Sequence, residues 1–431
     1  MATQKKLLIA LTIVLTFMSL MANGAIFQLP VADAQGSGTI RVTTWDSGNA
    51  LEPFTNAIAA FEAEYPDINV ELEPIPQEYG TKLLAQIAAG TAPDIFQVGD
   101  GDVARFAREG MMEPLDSWIE NDPDFSMDVF FPGVASFGQV GGVTYLLTKD
   151  YSPLVLYYNK DHFDAAGLEY PNPDWTWDDL LNAAKALTTA DRWGLMIPAH
   201  WGDWLWTRGI LPLLAQNGTH LLSEDGLTVE GILNSEATVE AIQWYVDLFK
   251  VHKVAPTRQD VESFAGADLF ANGVVSMVWT GRWPLKDWRV IDGFNFGTMG
   301  LPAGPAGEGN TLCWAGFAIN AASQNKEAAW TFLKYIAAGD GAKEFANYAF
   351  TAVQPIAEAQ GLTEDEYDGP IIAYLENVAP IPEALSPYAG ECVVTPFQQH
   401  LEKIFLEDMP VQEALDAAAA EAQACLDGYN Q

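Results

Sequence analysis

The sequence is rich in tryptophans and carboxylates, two kinds of side chain that together suit a sugar. It has 14 tryptophans among 431 residues, and several of them cluster near the ends of expected helices and strands. An indole face matches the apolar C–H face of a sugar ring, and nearby carboxylates can accept hydrogen bonds from the hydroxyls. These residues therefore favour a carbohydrate ligand.

Motifs of catalysis are missing from the sequence. It contains no GxSxG elbow, HExxH pair, Walker loop or glycine-rich dinucleotide fingerprint, and the five histidines share no ligand-like spacing. Residues 99–102 (Gly-Asp-Gly-Asp) lack the remaining acidic ligands of a calcium loop. We expect no enzyme, no metal and no cofactor, although two carboxylates placed for glycoside hydrolysis stay open as an alternative.

The charge balance restricts the partners. There are 21 basic and 58 acidic side chains, which gives a formal net charge of −37. A chain this anionic repels the phosphate backbone of nucleic acids and anionic lipid surfaces. We therefore expect a small-molecule partner and no nucleic acid.

The first 34 residues have the pattern of a secretory signal peptide. Lys5 and Lys6 precede an apolar run over residues 7–21, and Ala32-Asp-Ala34 is a small-residue cleavage site. The alternative is a membrane anchor, for which the run is short. We expect an exported protein that is soluble after cleavage near Ala34, in a compartment where Cys392 and Cys425 can form a disulfide.

Strands and helices alternate at short spacing in the mature chain. Residues 39–45 and 68–72 alternate apolar and polar side chains as strands do, and residues 50–65 and 78–89 have helical spacing. A short buried strand follows at 94–98, and a second unit begins after about residue 149. The pattern predicts mostly parallel sheets covered by helices.

Several motifs along almost the whole mature length resemble a known family. Residues 79–98 (YGTKLLAQIAAGTAPDIFQV) are the most specific, and residues 270–283 fit F-x-x-G-x-x-x-M-x-x-x-G-x-W. Residues 57–70, 156–161 and 318–333 add to the match. The chain resembles the extracellular solute-binding proteins of ATP-binding-cassette importers, in the sugar-type family that includes maltose-binding protein.

The resemblance implies an α/β, two-lobed periplasmic-binding-protein fold (type II-like), with a mixed, mostly parallel sheet flanked by helices in each lobe. A cleft between the lobes is expected to close on the solute by hinge bending. Lobe one is expected at 39–149 plus 301–338, and lobe two at 150–300 plus 339–431. The implied function is that of the substrate-binding component of an importer, which delivers a mono- or oligosaccharide to the permease. The binding protein itself is expected to be a monomer.

Ligand-binding candidates come from strand ends and from the resemblance. Asp46 follows the first strand, and Asp100 and Asp102 follow the third, where ligands bind in such sheets. These two aspartates can instead cap the helix that begins near residue 103. In the family's pattern Trp283 is the sugar-stacking tryptophan. The remaining candidates are Tyr79, Asp150, Trp204, Trp206, Arg282 and Trp314.

Other ligands remain possible within the same fold. A polyamine would suit an acidic, aromatic cleft, whereas a glycerol phosphodiester would need basic residues, which are scarce in the expected cleft. An exported glycoside hydrolase is the alternative from another class.

Overall fold

The structure is a computed structural model that describes residues 36–197, 204–264, 266–374 and 381–429. The predicted signal peptide therefore lies outside the described residues, as do the side chains of Trp204 and Trp206. The strands are β1 (Gly38–Thr44), β2 (Ile68–Pro74), β3 (Ile95–Gly99), β4 (Gln139–Val140), β5 (Val143–Thr144), β6 (Leu147–Pro153), β7 (Val155–Asn159), β8 (Trp193–Met196), β9 (Val275–Thr280), β10 (Phe296–Met299), β11 (Leu312–Ile319) and β12 (Phe350–Thr351).

Helices follow most of these strands. They are α1 (Glu52–Glu64), α2 (Tyr79–Ala89), α3 (Val103–Arg108), α4 (Asp116–Glu120), α5 (Pro132–Ala135), α6 (Lys160–Ala166), α7 (Trp177–Leu187), α8 (Trp204–Gln216), α9 (Glu236–Lys250), α10 (Arg258–Ser263), α11 (Leu285–Trp288), α12 (Lys326–Ala337), α13 (Ala342–Phe345), α14 (Gln354–Gln360), α15 (Asp368–Ile372), α16 (Pro382–Leu385), α17 (Thr395–Leu406) and α18 (Val411–Tyr429). In the described part of the chain, no helix is both long and apolar enough to cross a membrane.

The first sheet has six strands in the order β12-β6-β11-β3-β1-β2. Strand β1 lies parallel to both β2 and β3, with Val42 opposite Leu72 on one side and Ile95 on the other. Strands β1 and β3 therefore end at the same edge of the sheet, which brings the residues after them together. Buried side chains such as Phe54, Phe317 and Leu333 form the core on this sheet.

The second sheet has four strands in the order β10-β7-β9-β8. Its core includes Met277 and Trp279 from β9, and it extends to the C-terminal helices through Phe397 and Leu415. A disulfide joins Cys392, which lies just before α17, to Cys425 in α18, and this is the pairing that the sequence left open.

The two main sheets are mixed, as the fold class predicted, but they are not mostly parallel. Of the eight strand pairs in the two main sheets, only β1–β2, β1–β3 and β8–β9 are parallel. Strand β11 runs antiparallel to both β3 and β6, and the chain reaches it after the strands of the second sheet. Alternating strands and helices do not reveal this reversal.

The chain passes between the sheets more than once. It leaves the first sheet between β6 and β7 and returns to it between β10 and β11. The last strand, β12, also belongs to the first sheet. The predicted lobe boundaries stay a prediction. Strand β12, which we expected with lobe two, lies at the edge of the six-stranded sheet.

Candidate functional site

A cavity of about 1210 Å³ has walls from both cores. The edge where β1 and β3 end supplies one wall, and α8, the start of α11 and α16 supply the other. Strand β6 contributes Lys149, Asp150 and Ser152. Among the predicted ligand residues, those that the cavity brings together are Asp46, Tyr79, Asp100, Asp102, Asp150, Trp283 and Trp314.

Asp46 is held by hydrogen bonds at the end of β1. The Thr44 hydroxyl donates to Asp46 Oδ2 at 2.6 Å. With the Gln97 amide turned so that its nitrogen faces acceptors, that nitrogen lies 3.2 Å from Asp46 Oδ2 and the amide oxygen lies 3.3 Å from Lys149 Nζ. Asp46 therefore has a fixed position while part of its acceptor capacity remains open to a ligand.

Tyr79 is the first residue of α2, and its side chain is tied to the same sheet. Its hydroxyl donates to the Gln97 carbonyl at 2.8 Å, and its ring meets Trp45 edge to face with centroids 5.3 Å apart. Burial raises the pKa of Tyr79 well above its usual value, so the phenol stays neutral.

Lys149 and Asp150 form a buried ion pair, with Nζ and Oδ2 2.9 Å apart. Burial alone would lower the pKa of Lys149, but the carboxylates of Asp150 and Asp46 outweigh it and raise that pKa. The lysine is therefore a fixed positive charge between two carboxylates of the site.

A second ion-pair group crosses the cavity. Arg208 of α8 donates to Asp100 Oδ1 at 3.0 Å and to both carboxylate oxygens of Glu383 at 3.3 Å. Asp100 follows β3 of the six-stranded sheet, whereas α8 and α16 pack on the core of the other sheet. This contact therefore joins the two walls.

Asp102 pairs with Arg105, its oxygen 3.0 Å from the guanidinium. Burial raises the pKa of Asp102, with the charge of Arg105 opposing it. Asp102 is the residue before α3, yet its side chain makes no capping hydrogen bond. The structure therefore does not support the alternative role of Asp102 as a helix cap.

Two tryptophan rings line the cavity. Trp283 lies against Gly281, since a Cβ on residue 281 would overlap its ring. Trp314 stacks on Phe137, with ring centroids 5.1 Å apart, and its backbone N–H lies 3.4 Å from Asp100 Oδ2.

Arg282 is placed elsewhere. It donates to both oxygens of Asp368, at 2.5 and 2.9 Å, in a buried bidentate pair, and it is not among the residues that line the cavity. Arg282 is thus engaged in an ion pair of the protein interior, although it is next to Trp283 in sequence.

Sequence reasoning missed Arg208 and Glu383. A signal for Arg208 is present, because it is the one charged residue in the otherwise apolar or neutral helix α8. Such a residue is expensive to bury without partners. Its partners are 108 and 175 residues away in sequence, so no local pattern could predict them.

A second cavity of about 1190 Å³ adjoins the first one, and Asp100, Trp314 and Glu383 line both. Its other walls are largely apolar, with Phe131 and Leu385 among them. In the described residues, no group of three or more histidine, cysteine or acidic side chains is placed to hold a metal ion.

Two similar proteins are named for the small polar solutes that they bind. An erythritol/L-threitol-binding protein of Mycolicibacterium smegmatis is 27% identical over 63% of this chain and 61% of its own length. The sn-glycerol-3-phosphate-binding periplasmic protein UgpB of Pectobacterium atrosepticum is 24% identical over 94% of this chain and 95% of its own.

The fold is that of a solved binding protein. The substrate-binding protein Lmo0181 of Listeria monocytogenes, in complex with cycloalternan, matches with a TM-score of 0.81 and 26% identity, over 90% of this chain and 99% of that one. This likeness supports a two-lobed fold, and each of the two main sheets packs in a hydrophobic core of its own. Residues 45–352 match the family directly, and the chain belongs to the bacterial extracellular solute-binding proteins.

Proposed function

We propose that this protein is the substrate-binding component of an ABC importer and captures a mono- or oligosaccharide in the first cavity. The observation that carries the proposal is the pairing of two tryptophan rings with carboxylates from both walls. Indole faces cover the apolar side of a sugar ring, and carboxylates accept hydrogen bonds from its hydroxyls. Binding to both lobes favours the closed state by hinge bending.

The size of the cavity supports a ligand of more than one ring. Its volume of about 1210 Å³ exceeds the range of roughly 300–1,000 Å³ in which most small-molecule sites fall. A disaccharide or a longer saccharide would use this space better than a single monosaccharide.

The charge of the cavity supports an uncharged solute. Seven acidic side chains line it (Asp46, Glu78, Asp100, Asp102, Asp150, Asp287 and Glu383), against Lys149 and Arg208. Both cations are already paired with carboxylates of the site. A glycerol phosphodiester would therefore meet repulsion.

A polyamine is the second candidate, because the same excess of carboxylates beside aromatic rings attracts a cation. It differs from a sugar in its salt dependence. Affinity for a polyamine should fall steeply as ionic strength rises, whereas affinity for a neutral saccharide should change little.

The finer parts of the proposal follow from the family. We expect export with cleavage near Ala34, transfer of the solute to a membrane permease, and a monomer in solution. We also expect no catalysis: purified protein incubated with oligosaccharides should release no product, and sustained release would instead support the glycoside hydrolase.

Thermal unfolding of the mature chain, residues 35–431, tests the proposal against a panel of sugars, polyols, polyamines and phosphodiesters. A ligand at about 100 times its Kd stabilises the folded state by roughly 2.7 kcal/mol, a visible rise in Tm. A shift with one class of saccharide is the expected result. A shift only with cationic or phosphorylated solutes would overturn the carbohydrate assignment.

A further inference from the structure

Arg208 is buried, with 3% of its surface exposed, at the point where the two walls of the cleft meet. Its guanidinium contacts Asp100 from one lobe and Glu383 from the other. These charge-assisted hydrogen bonds are sheltered from water, so salt and solvent weaken them little.

Other polar contacts also join the two sides. Lys286 lies 3.4 Å from Glu52 and contacts the partly buried Tyr348 hydroxyl, and Arg108 donates to the Pro387 carbonyl at 3.0 Å. The Arg282 N–H donates to the buried Ser152 hydroxyl at 2.7 Å. Exposed ion pairs such as Lys286–Glu52 contribute little to stability, and Arg208 differs from all of these contacts in being a buried ion pair.

The loop that carries Asp100 approaches this group closely. A Cβ on Gly101 would lie 3.3 Å from Arg208 Nη2 and 3.5 Å from Glu383 Oε1. The backbone at Gly101 therefore packs directly against the ion pair of the opposite wall.

One donor of Arg208 has no acceptor among the described residues. Its Nε is buried, yet it makes no hydrogen bond there, while the two terminal nitrogens are engaged. A buried donor without a partner is costly. Since this atom has almost no surface open to the cavity, the carboxylates that the two terminal nitrogens engage are what hold the guanidinium in place.

We propose that Arg208 is a positioning residue that holds the two walls of the cleft together and so favours the closed state that binds the solute. Its terminal nitrogens hold Asp100 against Glu383 across the cleft. The effect on solute affinity rests on the proposed function, whereas the contact between the lobes does not.

Arg208→Lys tests this role, because lysine keeps the charge but loses the planar fork that contacts both carboxylates. Small-angle X-ray scattering with and without a saccharide from the panel reports closure, and calorimetry reports Kd. We expect Arg208→Lys to have a larger radius of gyration than the wild type in every condition in which the wild type is compact. We also expect Kd to rise by about tenfold or more, as for the loss of charge-assisted hydrogen bonds.

Arg289→Lys is the matched control. Arg289 also bridges two carboxylates with one nitrogen, at 2.5 Å from Asp365 and 2.8 Å from Asp368, but none of the three lines the cavity. This variant should lower Tm and leave scattering and Kd unchanged. If Arg208→Lys does not fold, Asp100→Asn removes one of the two carboxylate partners and should give the same expansion.

Three results would overturn the proposal. Arg208→Lys could keep the wild-type scattering and a Kd within twofold, or Arg289→Lys could change both as much as Arg208→Lys does. A wild type that is extended in every condition would show that the contact does not form. Failure of the wild type to bind any saccharide, with expansion of Arg208→Lys retained, would instead count against the proposed function, and not against the contact between the lobes.

Discussion

The indole ring of Trp283 occupies the space that a Cβ on residue 281 would need. Gly281 is itself fixed, because its carbonyl accepts a hydrogen bond from Tyr157 at 3.0 Å. The G-x-W spacing in this sequence therefore has a steric reason: the glycine leaves room for the ring at the wall of the cavity. A side chain at position 281 would therefore change the cavity by displacing the ring of Trp283.

Gly281→Ala should weaken saccharide binding although no side chain at 281 contacts the solute. The added methyl group forces the ring of Trp283 to move, and the stacking surface moves with it. We expect a loss of affinity of about tenfold, near that of Trp283→Ala, from the loss of an aromatic contact worth roughly 1–2 kcal/mol. Isothermal titration calorimetry with the saccharide from the panel measures it.

Gly428→Ala is the control for that substitution. Gly428 lies in α18, and nothing lies within 4 Å of a Cβ built there. Alanine in a helix should leave Kd unchanged and raise stability by about 0.5–1 kcal/mol. Equal effects of the two substitutions on Kd would contradict the steric explanation.

The sequence allowed the local elements of this fold to be predicted closely. Strand 68–72 was expected at its observed start, since β2 runs from Ile68 to Pro74. Helix 78–89 was expected one residue early and ends at Gly90, which has a φ of +68°. Periodicity and end signals decide such elements, because they depend on neighbours a few residues apart.

The rest depended on contacts between distant residues. The antiparallel direction of β11 and the commitment of Arg282 to Asp368 arise from segments far apart in the chain. Composition predicted an acidic, aromatic site, and the strand-end rule placed Asp46 and Asp100 in it. Neither could show that Arg208 joins the two walls.

Reduction of the disulfide should destabilise the second lobe. Cys392 and Cys425 are 33 residues apart in sequence, and closing a loop of this length in the unfolded chain corresponds to about 4 kcal/mol in the chain-entropy treatment. Urea unfolding with and without a phosphine reductant measures the difference. The double variant Cys392→Ala/Cys425→Ala should be insensitive to the reductant, and an equal shift in that variant would contradict the assignment.

Asp94 should be important for stability and not for binding. Its carboxylate accepts hydrogen bonds from the Arg41 N–H at 2.9 Å and the Ser323 hydroxyl at 2.6 Å, and the Asn325 amide lies 3.2 Å away. Asp94→Ala leaves buried donors without an acceptor, so the free energy of unfolding should fall by about 3 kcal/mol. Urea unfolding tests this, with the exposed Asp67→Ala as a control that should change little.

His162 should make the protein less stable in mild acid. Burial, followed by the charge of Arg192, lowers its pKa from 6.5 to about 4, while Asp161 opposes the shift. Between these two values the unfolded chain binds the proton and the folded chain does not. The free energy of unfolding therefore falls as pH decreases from about 6.5 towards 4, and the ring stays neutral beside the Ser276 hydroxyl at 3.1 Å.

His162→Gln should remove this part of the pH dependence, because glutamine does not titrate. Urea unfolding between pH 7 and pH 4.5, compared with the wild type, isolates the contribution of His162 from that of the carboxylates. His220→Gln, at an exposed position, serves as the control and should follow the wild-type curve. Parallel curves for the wild type and His162→Gln would show that burial does not depress the pKa of His162.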